Sequence, residues 1–161
     1  NRQRAERIWF NRDTRVMPAI SRRALAAIEA VVYIACKPGT PVRSREISKY
    51  QGIAERYLEP IMQELVHQKV LRGVRGPKGG YVLSRERRKI SLKELVVIVE
   101  SMECSKKEGK SLLSKRVVSP VWCEANGLAL ECLEKVSVQD LCDQAVEKEI
   151  VGKGDKPDFN I

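Results

Sequence analysis

The most informative feature of this sequence for predicting its fold is a segment rich in glycine and proline between two short β-forming runs. Residues 70–74 and 81–83 form the two runs, and residues 75–80 between them read Arg-Gly-Pro-Lys-Gly-Gly. Glycine and proline are the residues that tight turns select, because one supplies positive φ and the other fixes it. The pattern therefore predicts a β-hairpin with a glycine-rich tip.

Three predicted helices precede this hairpin. Residues 20–36 form the first, and its predicted inward-facing residues are Leu25, Ile28, Val32, Ala35 and Cys36. Residues 44–50 form a short second helix around Ile47, and Gln51-Gly52 predicts a tight turn after it. Residues 53–67 form the third, with Ile53, Tyr57, Leu58, Ile61, Leu65 and Val66 predicted to face inward. Pro60 in its second turn predicts either a later start or a bend.

Beyond the hairpin the sequence predicts three more helices and a polar loop. Ser91 and Glu94 form a capping-box pattern at the start of a helix that runs to about Glu103. Residues 104–116 are rich in Lys, Ser and Gly and predict a loop. Ser119 is expected to cap the next helix, with Pro120 at its first position, and Ser137 to start the last one. The apolar stripe of the helix at 120–135 is predicted to be Val121, Ala125, Leu128, Ala129, Cys132 and Leu133.

The charge and the cysteine pattern narrow the range of functions that this chain can have. Thirty Lys and Arg against twenty-one Asp and Glu give a net charge of +9. This favours nucleic acid as partner, with an anionic membrane surface or a merely solvated basic face as alternatives. No apolar run approaches the ~20 residues of a membrane span. The five cysteines include no C-x-x-C pair, which indicates a reducing cytoplasm. No G-x-S-x-G or H-E-x-x-H motif is present, so we expect no enzyme.

Three short helices followed by a hairpin are the pattern of a winged helix-turn-helix protein, whose third helix enters the major groove of DNA. Arg56 can pair with guanine and Glu55 with cytosine, while Arg75 suits the minor groove and Lys78 a phosphate. The glycines of the wing tip allow close approach, although an ordinary hairpin turn explains them too. The predicted DNA contacts are Arg45, Lys49, Glu55, Arg56, Tyr57, Arg75, Gly76, Lys78 and Gly79.

Four segments together carry a family resemblance. Residues 47–48, 52–53, 56–59 and 74–81, in this order and spacing, closely resemble the Rrf2 family of bacterial regulators, and the similarity covers residues 20–145. The resemblance implies a homodimer, a long dimerisation helix at residues 120–135 (from Pro120 to Lys135), and a partly palindromic operator. It also places Arg56, Tyr57 and Arg75 at DNA-contacting positions of the family.

The cysteines depart from the pattern of the best-known family members, which hold an iron–sulfur cluster with three cysteines. Counted back from Trp122, which resembles a tryptophan of the dimerisation helix, the first of these positions falls on Cys104 and the other two near Lys110 and Arg116. Because a cluster needs several thiolates, the usual cluster is not expected. Two alternatives stay open: a Cys104–Cys123 thiol switch, and an unusual cluster that uses Cys104 and Cys123 with another ligand or a second subunit.

The other potential ligands are predicted to be structural. Cys36, Cys132 and Cys142 lie on apolar helix faces and are expected to be buried, whereas Cys123 is expected to be exposed. Lys106 and Lys107 would make Cys104 reactive by lowering its pKa. His67, the one histidine, is expected on the surface.

The fold class predicted is mainly α with a small β-hairpin. Residues 1–17 are a basic arm or leader, 18–90 the winged helix-turn-helix domain, 91–150 the dimerisation helices with a sensor-like loop at 104–116, and 151–161 a flexible tail. The function predicted is a cytoplasmic, homodimeric, sequence-specific regulator of transcription, acting as a repressor. The alternatives are a thiol- or cluster-linked sensor version of it, and a winged-helix protein-interaction module that does not bind DNA.

Overall fold

Helices account for most of the residues that the computed structural model describes, which are 20–102 and 111–150. In chain order the elements are α1 (Arg22–Ala35), α2 (Ser44–Gln51), α3 (Glu55–His67), β1 (Leu71–Val74), β2 (Gly80–Leu83), a 3-10 turn (Arg87–Lys89), α4 (Leu92–Ser101), a π-helical turn (Ser114–Val118), α5 (Ser119–Glu134) and α6 (Val138–Glu147). The predicted fold class is confirmed. The predicted arm, tail and Cys104 lie outside the described residues, and the proposed boundary at residue 90 stays a prediction.

Helix α1 begins at an N-cap, because the Ser21 hydroxyl accepts a hydrogen bond from the backbone N–H of Ala24 at 3.0 Å. Its buried face is made largely of alanines, and α4 packs against the helix. Small residues let two helices approach closely. The prediction that Leu25 faces inward was wrong, since 52 % of this residue is exposed. The larger apolar residue lies beside the alanine face and not on it.

Helices α2 and α3 are joined by a turn at Gly52, whose φ of 67° lies in the left-handed region that favours glycine. Helix α3 begins at Glu55, two residues later than predicted, and continues through Pro60. Leu58, Ile61, Met62 and Leu65 form its buried stripe. The inward prediction for Tyr57 was wrong, because this side chain lies at the edge of the stripe and the residue is 38 % exposed.

The predicted hairpin is confirmed as an antiparallel pair in which Leu71 lies opposite Leu83 and Val74 opposite Gly80. Val42, from the segment that leads into α2, extends the sheet by one bridge. Its N–H and C=O pair with the backbone of Tyr81 at 2.9 and 2.8 Å. A Cβ atom on Gly80 would lie 2.6 Å from the Val42 carbonyl oxygen, so this close approach requires glycine.

Helices α4 and α6 start side by side. The backbone bridge between Ser91 and Ser137 holds their N-termini together. Ser137 and Asp140 form the predicted capping box, whereas at α4 the Ser91 hydroxyl accepts from the Glu94 N–H and the Glu94 carboxylate pairs with Arg85. Helix α6 then packs against α1, so the last helix returns to the first.

The region before α5 corrects two predictions. Residues 112–118 are helical, so the predicted loop at 104–116 does not extend to Arg116. Ser119 does not cap a new helix either, because Val118 before it has helical dihedral angles. Pro120 has no N–H for the carbonyl four residues earlier, and the wider π turn directly precedes it. The helical stretch therefore passes through a proline that the sequence pattern placed at its start.

Helix α5 is confirmed at residues 119–134, and none of its residues is buried. Val121, Trp122 and Leu128 are each about 60 % exposed, and Leu112, Leu113, Val117 and Val118 before them are also exposed. Its contacts within the described residues include those with α4, where Lys93 pairs with Glu134 at 3.0 Å. Within residues 20–102 and 111–150, no helix has the length and apolar character that crossing a membrane requires.

Candidate nucleic-acid interface

The first turn of α3 presents three of the predicted DNA contacts to solvent. Glu55, Arg56 and Tyr57 are all exposed, whereas Leu58 directly after them is fully buried. The buried stripe therefore fixes the helix, and its N-terminal turn is free for other contacts. The Glu55 carboxylate accepts a hydrogen bond from the Ser44 hydroxyl at 3.1 Å, which connects the start of α3 to the start of α2.

Helix α2 supports α3 and exposes Arg45 and Lys49. Ser48 on its inner side is buried and donates its hydroxyl proton to the carbonyl of Arg45 at 3.0 Å. On its other side Glu46 accepts from Lys37 at 2.6 Å and from the Tyr33 hydroxyl at 2.9 Å. The Lys37 ammonium holds the pKa of the Glu46 carboxyl below its usual value, and that carboxylate raises the pKa of Lys37.

The wing tip carries the remaining predicted contacts. Arg75, Gly76 and Lys78 are exposed and Gly79 is half-buried. Gly76 has a φ of 112°, and a Cβ atom on Gly79 would lie 2.3 Å from the carbonyl oxygen of Val74. Both positions therefore require glycine, the first for its dihedral angle and the second for space. The tip is a turn in which backbone approaches backbone, with two cationic side chains beside it.

Arg43 was missed by the sequence analysis and connects the wing to the helices. This residue precedes α2 as its N-cap, and its guanidinium donates a hydrogen bond to the Pro77 carbonyl at the wing tip. Because Ser44 next to it bonds Glu55 of α3, two neighbouring residues join three segments. A basic residue directly before a helix-turn-helix was the available signal, but its partner 34 positions away was not visible in the sequence.

The structure distributes the predicted contacts over three connected segments: helix α2, the start of α3 and the wing tip. All nine residues are exposed or half-buried. The cations among them are Arg45, Lys49, Arg56, Arg75 and Lys78, with Arg43 and Arg72 exposed close by in the chain. This surface combines hydrogen-bond donors and positive charge, the combination that contacts phosphates and guanine edges.

The cysteines fall into two groups. Cys123 is exposed as predicted, and Cys132 is also exposed, so the prediction that it is buried was wrong, because nothing in the described chain covers that face of α5. Cys142 is buried as predicted, and Cys36 beside it is half-buried. His67 is a surface residue near Glu64, as predicted. The described residues contain no cluster of three or more His, Cys, Asp or Glu side chains that could hold a metal ion.

Comparison with known proteins identifies the family to which this chain belongs. The sequence profile of the Rrf2 family, described as iron-dependent transcriptional regulator, matches residues 20–144. The HTH-type transcriptional regulator IscR of Sodalis glossinidius is 28 % identical over 134 residues, which cover 80 % of this chain and 81 % of that protein. An HTH-type transcriptional regulator of Azotobacter vinelandii, ORF2, is 32 % identical over 72 % of this chain and 73 % of its own length.

Solved structures agree with these relatives. T. potens IscR superimposes with a TM-score of 0.66 at 27 % identity, covering 83 % of this chain and 92 % of that one. CymR, the global cysteine regulator of B. subtilis, superimposes with a TM-score of 0.63 at 23 % identity, covering 80 % of this chain and 98 % of that one. At this lower identity the second likeness supports the fold alone.

Proposed function

The chain belongs to the Rrf2 family of DNA-binding transcription regulators, and from this premise we propose that it is a homodimeric, sequence-specific repressor that binds a partly palindromic operator. The observation that carries the proposal is the connection of α2, α3 and the wing through Arg43 and Ser44. Under this proposal the protein acts in the cytoplasm and has no enzymatic activity. Its partners are double-stranded DNA and a second copy of itself.

Helix α3 is the proposed reading element. Its first turn exposes Arg56 and Glu55, which would contact base edges, and Tyr57, whose hydroxyl would contact a phosphate. Arg45 and Lys49 from α2 would contact the backbone on one side, and Arg75 and Lys78 from the wing on the other. Contacts to phosphates fix the position of the protein, and contacts to bases give specificity.

Helix α5 is the proposed dimerisation element. A helix that is apolar around much of its surface is normally buried, but no residue of α5 is buried by the described chain. A second copy packed along Val121, Trp122 and Leu128 would bury them and set the spacing of two reading helices on the two halves of an operator.

The description of the family names iron dependence, but the residues of this chain do not fit the usual three-cysteine cluster. Lys110 and Arg116 stand near two of the three expected positions, and neither side chain ligates iron as a thiolate does. Arg116 lies exposed in the π turn before α5, and Cys104 lies outside the described residues. The proposed binding of DNA therefore does not depend on an iron–sulfur cluster.

The test compares Arg56→Ala with Lys148→Ala, which removes the same charge from the end of α6. Affinity is measured against a duplex selected from a random library and against an unselected duplex, at several salt concentrations. We expect Arg56→Ala to lose ~1–3 kcal/mol on the selected duplex and much less on the unselected one, because a bidentate contact to guanine is lost. The control should bind both as the parent protein does.

Two results would contradict the proposal. If Arg56→Ala binds both duplexes unchanged, α3 does not read the bases. If the parent protein shows no dependence of affinity on salt, phosphate contacts are absent and the winged helix serves protein interaction instead, because released counterions give DNA binding a steep salt dependence.

A further inference from the structure

Two thiols meet where the first and last helices of the structure pack together. Cys36 follows the last residue of α1 as its C-cap and is half-buried. Cys142 lies in α6, is 2 % exposed, and belongs to the same apolar core against which Cys36 packs. The sulfurs of Cys142 and Cys36 lie within hydrogen-bonding reach of each other, where α6 packs against α1. Neither residue belongs to the candidate nucleic-acid interface or to the exposed face of α5.

The surroundings of the pair are polar on one side. Arg87, in the 3-10 turn, donates a hydrogen bond to the Ala35 carbonyl at 3.3 Å, so its positive charge lies beside the end of α1. Arg87 favours negative charge on both sulfurs, and Asp143, next to Cys142 in the chain, opposes it on Cys36. The site therefore has two adjacent sulfurs beside an apolar core, with the Arg87 guanidinium and the Asp143 carboxylate as its charged neighbours.

The two thiols have different acidities. The hydrogen bond from Cys142, with a smaller contribution from Arg87, outweighs burial and lowers the pKa of Cys36 from 9.0 to about 7. The same hydrogen bond, together with burial, raises the pKa of Cys142. At neutral pH Cys36 is thus the partner that ionises and Cys142 the partner that keeps its proton. A thiolate reacts as the nucleophile, and a thiol does not.

We propose that Cys36 and Cys142 form an oxidation site at which a hydroperoxide converts the two thiols to a disulfide that links α1 to α6. The Cys36 thiolate attacks one oxygen of hydrogen peroxide, so the O–O bond breaks, hydroxide leaves and Cys36 becomes a sulfenic acid. The Cys142 thiol then gives its proton to the sulfenic hydroxyl group as its sulfur, now a thiolate, attacks the sulfenic sulfur; the S–S bond forms, the S–O bond breaks and water leaves. Hydrogen peroxide is reduced and the two sulfurs are oxidised.

The other described cysteines do not form such a pair with each other. Cys123 and Cys132 lie on the same helix, more than two turns apart. This separation exceeds the reach of a disulfide, which requires Cα atoms within about 7 Å. Oxidation of these exposed thiols would therefore link them to another chain or to Cys104, and a variant that replaces Cys104, Cys123 and Cys132 removes both routes.

The test uses the full chain with Cys104→Ser, Cys123→Ser and Cys132→Ser, so that only the proposed pair remains. The protein is purified without oxygen, treated with hydrogen peroxide at pH 7, and mapped by mass spectrometry of its peptides. We expect both thiols to be lost together, one disulfide-linked peptide pair containing Cys36 and Cys142, and recovery of both thiols with dithiothreitol. Two thiols that persist, or separate sulfinic acids without a linked peptide, would overturn the proposal.

Two further variants in the same background separate the chemistry from a folding defect. In Cys142→Ser the hydroxyl can still donate to Cys36 but cannot form a disulfide, so peroxide should leave a sulfenic acid on Cys36 that dimedone traps. In Cys142→Ala the donor is absent, and alkylation of Cys36 by iodoacetamide at pH 7 should slow by roughly fivefold, because the thiolate fraction falls while its nucleophilicity rises.

The pH profile of alkylation provides the deciding readout. The midpoint for Cys36 should lie at about pH 7 in the thiol pair, remain close to it in Cys142→Ser, and move upward in Cys142→Ala. If the alanine variant keeps the midpoint of the pair, or the serine variant reacts as slowly as the alanine variant, the hydrogen bond does not activate Cys36 and the proposed site is wrong.

Discussion

Helices α1 and α5 are about equally apolar in composition, yet the chain buries one and exposes the other. Seven residues of α1 are buried, against α3, α4 and α6 among others, whereas α5 has no buried residue. Apolar residues of α1 are concentrated on one face, while those of α5 occur around most of the helix. The difference shows that α1 completes a core within one chain, whereas α5 leaves its apolar residues uncovered, as the proposed dimerisation role requires.

The largest effect should come from matched truncations in the two regions. Leu65→Ala, at a fully buried position of α3, should lower the free energy of unfolding by ~3 kcal/mol, because a cavity remains in the core. Leu128→Ala in α5 removes the same atoms from a residue that is 59 % exposed and should cost less than ~1 kcal/mol within one chain. Urea unfolding at low protein concentration measures both, and equal losses would remove the distinction between the regions.

A charge placed on α5 should separate the two chains. Leu128→Asp is expected to weaken self-association by at least ~100-fold, because a carboxylate would be buried without a partner in the interface. Val146→Asp, at an exposed apolar residue of α6, is the matched control and should leave association unchanged. Sedimentation equilibrium gives the dissociation constants. A Leu128→Asp protein that remains dimeric with parental affinity would show that α5 is not the interface.

The wing offers two glycines for a smaller test. Gly79→Ala would put a Cβ atom 2.3 Å from a backbone oxygen, so we expect a loss of ~1–3 kcal/mol from the strain of overpacking. Gly73→Ala on β1 places its Cβ where no atom lies within 4 Å and should be nearly neutral. Thermal unfolding compares the midpoints of the two variants. Equal midpoints would mean that the backbone around Gly79 is not packed as closely as the structure shows.

The smallest effect concerns a surface contact of α2. Lys37 and the Tyr33 hydroxyl stabilise ionised Glu46, whose lowered pKa contributes stability above about pH 4.5 that is lost as the pH falls through the folded-state value. Glu46→Gln should make the loss of stability between pH 5 and 3 shallower, by less than ~1 kcal/mol for a contact this exposed. Glu124→Gln on α5 is the control. Identical acid unfolding curves for the parent and Glu46→Gln would contradict this account.

Local signals were sufficient for the helix-turn-helix and the wing. Gly52 predicted the turn, residues 75–80 predicted the hairpin tip, and Ser137 with Asp140 predicted the start of α6. Each of these features depends on dihedral angles or hydrogen bonds within a few residues, so the sequence pattern contains the whole cause. The exposure of Glu55 and Arg56 also followed, because the exposed side of α3 is the complement of its apolar stripe, while their contacts with DNA stay a prediction.

Sequence signals led to wrong predictions where a residue is compatible with two kinds of local structure. A proline after serine is typical of a helix start, but Pro120 lies within a continuing helical stretch because a π turn accommodates it. Lys and Ser around residue 114 suggested a loop, although lysine is also a good helix former. At Cys132, helical spacing predicted an inward face, but no part of the described chain packs against it.

Sequence patterns were enough to predict the order of the elements, the glycine-rich wing and the basic residues beside it, because turns, caps and periodicity act over short distances. Three features became visible in the folded chain alone: Arg43 holds the wing, Leu25 lies outside the core, and Cys36 meets Cys142. These contacts join residues far apart in the chain, and they depend on which helices pack together. That choice is made by the complementary shape of whole faces, which no local pattern specifies.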